Sequence, residues 1–246
     1  MTSGFFTTWF LPGLWITIQV TVYSALLAFA IAFPIGVLRT SRFWIVRFLA
    51  GAYFEIFRGT SALVFMFWVA FTVPMMFGIS FLPMAAGVLA LGMTYGAYGS
   101  EIVRGALAAV PPAQREAGIA LSFTRAQRLR RIELPQAWPE MIPPFNNLLI
   151  ELLKGTSLIS LIAVADMTFA GDLWRLVKAE SAPIYTLLLV VYFVIAFVLT
   201  RVMRLLERQA KSKIGQTPEK FRLLGGLRAK TDSASSMGAY PAGGAG

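Results

Sequence analysis

The chain has 246 residues, 57% hydrophobic and only 14% charged, with a net charge of +10 and neither Cys nor His. Soluble domains carry about a quarter charged residues, so this composition excludes an ordinary soluble domain and points to long uncharged runs in a bilayer. The missing Cys and His exclude disulfides, thiol catalysis and the usual zinc sites. The basic residues lie between and after the apolar runs, as in cytoplasmic loops touching anionic lipid, so no nucleic-acid partner is expected.

In chain order, residues 1–12 lack a basic start, so a cleaved signal peptide is not expected and the first span serves as its own insertion signal. Residues 14–38 are uncharged and long enough to span. Residues 43–57 mix apolar and charged residues at helical spacing and read as a short surface helix. Residues 61–100 are uncharged but too long for one span, and Pro74, Gly78 and Pro83 divide them into helices over 61–77 and 84–107. A fourth run covers 141–164, interrupted by Glu151 and Lys154, and a fifth covers 183–203. The sequence thus predicts an all-α polytopic membrane protein of five transmembrane helices. Residues 1–212 form the membrane domain. The rest, 213–246, turns to Ser, Gly, Ala and Pro and reads as a disordered cytoplasmic tail.

Loop charge supports the count. Arg39, Arg42, Arg47 and Arg58 fill the first loop, Arg115, Arg125, Arg128, Arg130 and Arg131 the third, and Arg201, Arg204, Arg208, Lys211 and Lys213 the end. The N-terminal stretch and the 73–83 loop have no basic residue, and the 165–182 loop sets Arg175 and Lys178 against Asp166, Asp172 and Glu180. This alternation puts the N-terminus outside and the C-terminus in the cytoplasm. Five spans cannot form two equal halves, which disfavours an inverted-repeat carrier.

The chain has no G-x-x-x-x-G-K-[ST] loop, so it cannot supply a P-loop ATPase itself. Its third loop, about 110–140, contains E-A-G-I-A-L-S-F-T-R-A-Q-R-L-R-R-I-E-L-P over residues 116–135. Ala117, Gly118 and Ala120 offer a small-residue surface for close approach, and Thr124 can cap a basic helix that Pro135 helps end. The plainer reading is a solvated basic loop that sets topology.

This segment resembles the EAA loop of ABC-importer permeases: Glu-Ala-Ala, three residues, Gly, nine residues, Ile, one residue, Leu-Pro. Glu116, Ala117, Ile132, Leu134 and Pro135 match, while Gly118 replaces Ala and Ser122 replaces Gly. Serine there argues against a need for positive φ. Further motifs resemble the polar amino-acid (histidine/glutamine/arginine-type) family: Phe57-Arg58-Gly59-Thr60, Gly96 to Gly105, Leu153 to Leu158 with Gly155 in place of Asp, and Gly13 to Thr21. The resemblance implies a MetI-like ABC-importer permease fold in the bacterial cytoplasmic membrane and no covalent chemistry. It implies ATP-binding subunits docking on the EAA loop and holding ATP and Mg, with no cofactor in this chain. It further implies a second permease chain, identical or homologous, an extracytoplasmic solute-binding protein, and a polar amino acid or related zwitterion as solute. Rival readings are an ABC permease for another small solute, an ATP-independent channel or ion-coupled carrier, and a membrane enzyme.

Charges within spans must face protein or water. Glu151 and Lys154 stand three apart on one helical face and can pair, as can Glu101 and Arg104. They are either structural ion pairs or part of a substrate path lined by Glu151, Lys154 and Glu101. Gly92 and Gly96, and the Thr17, Thr21, Ser24 stripe, read as helix–helix contacts. Trp9, Trp15 and Trp174 read as interfacial anchors.

Overall fold

The computed structural model describes residues 6–78, 82–179 and 181–213, which contain helices and turns and no strand. Helix α1 is Leu11–Leu38, entered through a π turn at Phe6–Phe10. Helix α2 is Trp44–Gly59, over the amphipathic run at 43–57 that the sequence marks as helical. Helix α3, Ala62–Phe77, contains a π turn at Trp68–Thr72 and leaves α2 at 99°. Helix α4 is Pro83–Ala109 and α5 is Pro112–Ala120. Helix α6, Arg125–Arg128, passes through a π turn at Leu129–Glu133 into α7, Leu134–Gly155, which tightens to a 3-10 turn at Thr156–Ile162. Helix α8 is Met167–Lys178 and α9 is Ser181–Lys213.

All five apolar runs are helical. Among the described residues three helices are long and apolar enough to cross a membrane: Phe6–Leu38, Arg125–Ile162 and Ser181–Ala210. The bent pair Trp44–Gly59 and Ala62–Phe77 makes a fourth if it acts as one span. Helix α4 is long enough, at about 40 Å for 27 residues, but is rich in Gly and Ala and carries Glu101 and Arg104. It buries side chains against the rest of the protein along its length, from Ala86 to Leu107. Of the expected tail, residues 214–246 lie outside the described residues.

The α1–α4 seam follows from small residues. Between helices in lipid the hydrophobic drive is weak, so close van der Waals packing holds them together. A Cβ on Gly92 would stand 2.5 Å from Leu27 Cδ2, one on Gly96 2.9 Å from Ile31 Cβ, and one on Gly36 2.6 Å from Val103 Cβ. The G-x-x-x-G pair therefore marks a helix contact, as read. Thr17, Thr21 and Ser24 are likewise buried.

Two sequence expectations are corrected. Residues 165–182 contain helix α8, not only a loop. Asp166 caps it, accepting from the Phe169 N–H at 2.9 Å. Its first turn locks onto α1, where the Met167 N–H donates to Thr17 Oγ1 at 3.2 Å and a Cβ on Gly13 would stand 2.8 Å from the Asp166 backbone. Second, Pro135 does not end a helix. The wider π turn just before it takes up the ring and the missing N–H, so the helical run continues from Arg125 to Ile162.

Candidate coupling segment and translocation face

The segment 116–135 is an ordered hairpin of short helices. Helix α5 turns at Leu121, and Thr124 opens α6 with a complete capping box: its hydroxyl accepts from the Gln127 N–H at 3.3 Å while its own N–H donates to Gln127 Oε1 at 2.8 Å. The turn between them needs a left-handed residue. That residue is Ser122, at φ +58°, which overturns the expectation that a serine here spares the backbone positive φ. The hairpin closes through the Phe123 N–H bond to the Gly118 carbonyl at 3.0 Å, and this closure imposes the conformation.

Gly118 is buried within the hairpin, where a Cβ would stand 2.9 Å from both Arg128 and Ile132. Its smallness serves the segment's own packing. Ile132 and Leu134 are half-buried and Pro135 is exposed. The outward face of α5 carries Glu116, Ala117, Ile119 and Ala120, continued by Leu121 just after it; Ile119 and Leu121 are 59% and 66% exposed. Sequence reading singled out Ala117 and missed Ile119 and Leu121, although apolar residues in a basic loop were the available signal. Behind this face, Arg115 donates to the Leu107 carbonyl at 2.6 Å and lies 3.9 Å from Glu133, fixing α5 to the end of α4.

Within the spans, Glu101 pairs with Arg104 as read, and also with Arg39, the residue that follows α1, Nη1 to Oε2 2.7 Å. Glu151 and Lys154 are different. Both are exposed in the single chain, back to back with the buried Leu152 and Leu153, and no ion pair joins them. Tyr95 Oη donates to the Glu151 carbonyl at 3.1 Å. Glu101 is held by Arg39 and Arg104, and among the described residues no hydrogen bond or ion pair links it to the Glu151–Lys154 face. Outside the spans, Asp166 is wholly buried with Oδ2 unpartnered, and burial pushes its carboxyl up to about 6.

A polytopic helical bundle, with an ordered basic hairpin exposing an apolar face and no nucleotide loop, defines the membrane permease subunit of an ABC importer. The chain belongs to the family described as binding-protein-dependent transport system inner membrane component, whose model matches residues 28–212. It is 48% identical over 200 residues to a "Probable amino-acid ABC transporter permease protein" of Sinorhizobium fredii, covering 79% of this chain and 84% of that one. It is 34% identical over 198 residues to the glutamine transport system permease protein of Escherichia coli, covering 78% and 90%. Its fold matches a chain from the crystal structure of an amino acid ABC transporter with histidines, at TM-score 0.76 and 30% identity, covering 83% of this chain and 95% of that one.

Proposed function

We propose that this permease passes a polar amino acid or related zwitterion into the cytoplasm, driven by ATP-binding subunits that dock on residues 116–135. The observation that carries the reading is the exposed face of α5, with Ala117, Ile119 and Leu121 standing on a hairpin whose own core is closed by Gly118 and Ile132. An exposed apolar face on an ordered basic hairpin fits a groove of a protein partner better than it fits solvent. ATP and Mg belong to that partner. A solute-binding protein delivers the solute from outside, and a second permease chain completes the pore. The amino-acid class follows the named relatives.

The charged face of α7 supports a pore. A charge at mid-bilayer costs about 2.5–3.5 kcal/mol on insertion scales. Exposed Glu151 and Lys154 must therefore meet water or the second permease, and in this reading Glu151 attracts the solute ammonium. The N-terminus lies outside and the C-terminus inside.

The test is co-purification and uptake. The wild-type chain should hold its ATPase and import amino acids into ATP-loaded proteoliposomes, and Ala117→Arg should release the ATPase while the spans stay inserted. A variant that keeps its ATPase and transports normally removes the docking assignment. Uptake that persists without ATP and collapses with the ion gradient shows a carrier instead.

A further inference from the structure

The coupling hairpin reaches the α1–α4 pair through one turn. Arg125, first residue of α6, donates from Nη2 to the backbone carbonyl of Thr40. Thr40 closes the turn after α1, with its N–H and its hydroxyl both on the Val37 carbonyl, at 3.0 and 2.8 Å. The residue before it, Arg39, turns inward, with its side chain only 11% exposed. Its Nη1 lies 2.7 Å from Glu101 Oε2 and donates to Ser100 Oγ at 3.3 Å, and its guanidinium lies 4.0 Å over the Phe54 ring of α2. One side chain thus joins α1, α2 and α4 beside the turn that the coupling hairpin holds.

We propose that Arg39 is a positioning residue for transport, carrying displacement of the coupling hairpin from Arg125 and Thr40 into α4 through Glu101. This rests on reading residues 116–135 as the ATPase dock. Three observations favour Arg39 over the other cations here. Arg104 bonds Glu101 from the same helix, three residues away, and links no two elements. Arg115 ties α5 to the adjoining end of α4, eight residues back, and to Glu133 within the hairpin itself, and so reaches neither α1 nor α2. Arg39 follows a close contact of α1 with α4, since a Cβ on Gly36 would stand 2.8 Å from the Ser100 carbonyl, so the two helices are packed to move together there. A planar, weakly hydrated guanidinium suits a site that needs an ion pair, a hydroxyl contact and a ring face at once.

The experiment uses the full complex of this chain with its second permease and ATPase in proteoliposomes. The binding protein is loaded from a mixture of the standard amino acids. Retained ATPase, basal hydrolysis and binding-protein-stimulated hydrolysis are read for Arg39→Gln, Arg125→Gln and the double variant. Arg39→Gln should keep its ATPase and basal hydrolysis but lose stimulation about ten-fold, within the range of coupling between sites. Glu101 keeps Arg104 in that variant, so no carboxylate is stranded. Arg125→Gln, at an exposed position that leaves the Arg39–Glu101 pair intact, should lose stimulation in the same direction. The double variant should lose no more than Arg39→Gln alone, because both act on one path. Normal stimulation in either single variant, or losses that multiply in the double, overturns the relay. Failure of the docking reading shows separately, as ATPase retained by Ala117→Arg.

Discussion

The Tyr95 hydroxyl stands 2.8 Å from where a Cβ on Gly155 would lie, and it donates to the Glu151 carbonyl one turn earlier in α7. Tyr95 and Gly155 are therefore one packing unit: the tyrosine of α4 occupies the volume that a side chain at 155 would need.

Gly155→Asp, which restores the residue usual in the resembling motif, should then destabilise the chain by about 1–3 kcal/mol through overpacking. Tyr95→Leu, which vacates the space, should offset most of that loss in the double variant. Thermal unfolding of the detergent-solubilised chain measures both. Equal stability of Gly155→Asp and wild type would refute the shared volume.

Because no ion pair joins Glu151 to Lys154, neither Glu151→Gln nor Lys154→Met strands a buried partner. Each single variant should assemble normally, within about 0.5 kcal/mol of wild type. Transport per assembled complex should fall for Glu151→Gln, and adding Lys154→Met should not restore it. Recovery in the double variant would show that the two charges need only balance each other.

Ser122 holds φ +58° without the freedom of glycine. Ser122→Gly should raise stability by about 0.5–1 kcal/mol, since a left-handed backbone costs a side-chain-bearing residue about that much or more. The check is an upward shift in melting temperature with coupling unchanged. A downward shift would mean that the turn does not require the left-handed conformation.

Asp166 is buried at the α1–α8 lock with its carboxyl raised to about 6, facing Thr168 and Tyr192 and no cation. A raised acid favours the folded state in its neutral form. That contribution is full below the ordinary carboxylate range and is lost as pH rises through about 6. Wild type should therefore lose stability between about pH 4 and 6.5 relative to Asp166→Asn, which keeps an oxygen to accept from the Phe169 N–H. Parallel pH profiles for the two proteins would count against a titrating Asp166.

With no native cysteine, single-cysteine variants report topology directly. An impermeant thiol reagent should label Asp172→Cys from outside in intact cells and should label Arg128→Cys only after permeabilisation. Labelling of Asp172→Cys only after permeabilisation would break the five-span arrangement.

Much of this protein was legible from residue order, because bilayer and helix impose local rules. Uncharged runs located the helical segments, and the spacing of Gly92 and Gly96 located a helix seam. Glu116, Ala117, Ile132, Leu134 and Pro135 marked the hairpin, and Glu101 and Arg104, three apart, marked their own pair. What stayed hidden depends on which helices pack together and at what register. The same three-residue spacing gave an ion pair at 101 and 104 and none at 151 and 154, since spacing permits a contact and the surroundings decide it. That Arg39 reaches Glu101, 62 residues away, follows from the close approach of α1 to α4 at Gly36. Asp166 read as a loop charge until α8 folded back on Gly13 and Thr17 and removed it from water, and Ser122 became left-handed only because the hairpin closes on Gly118. Sequence fixes what each helix presents along its own axis; only the packed bundle decides which of those groups meet and which lose their water.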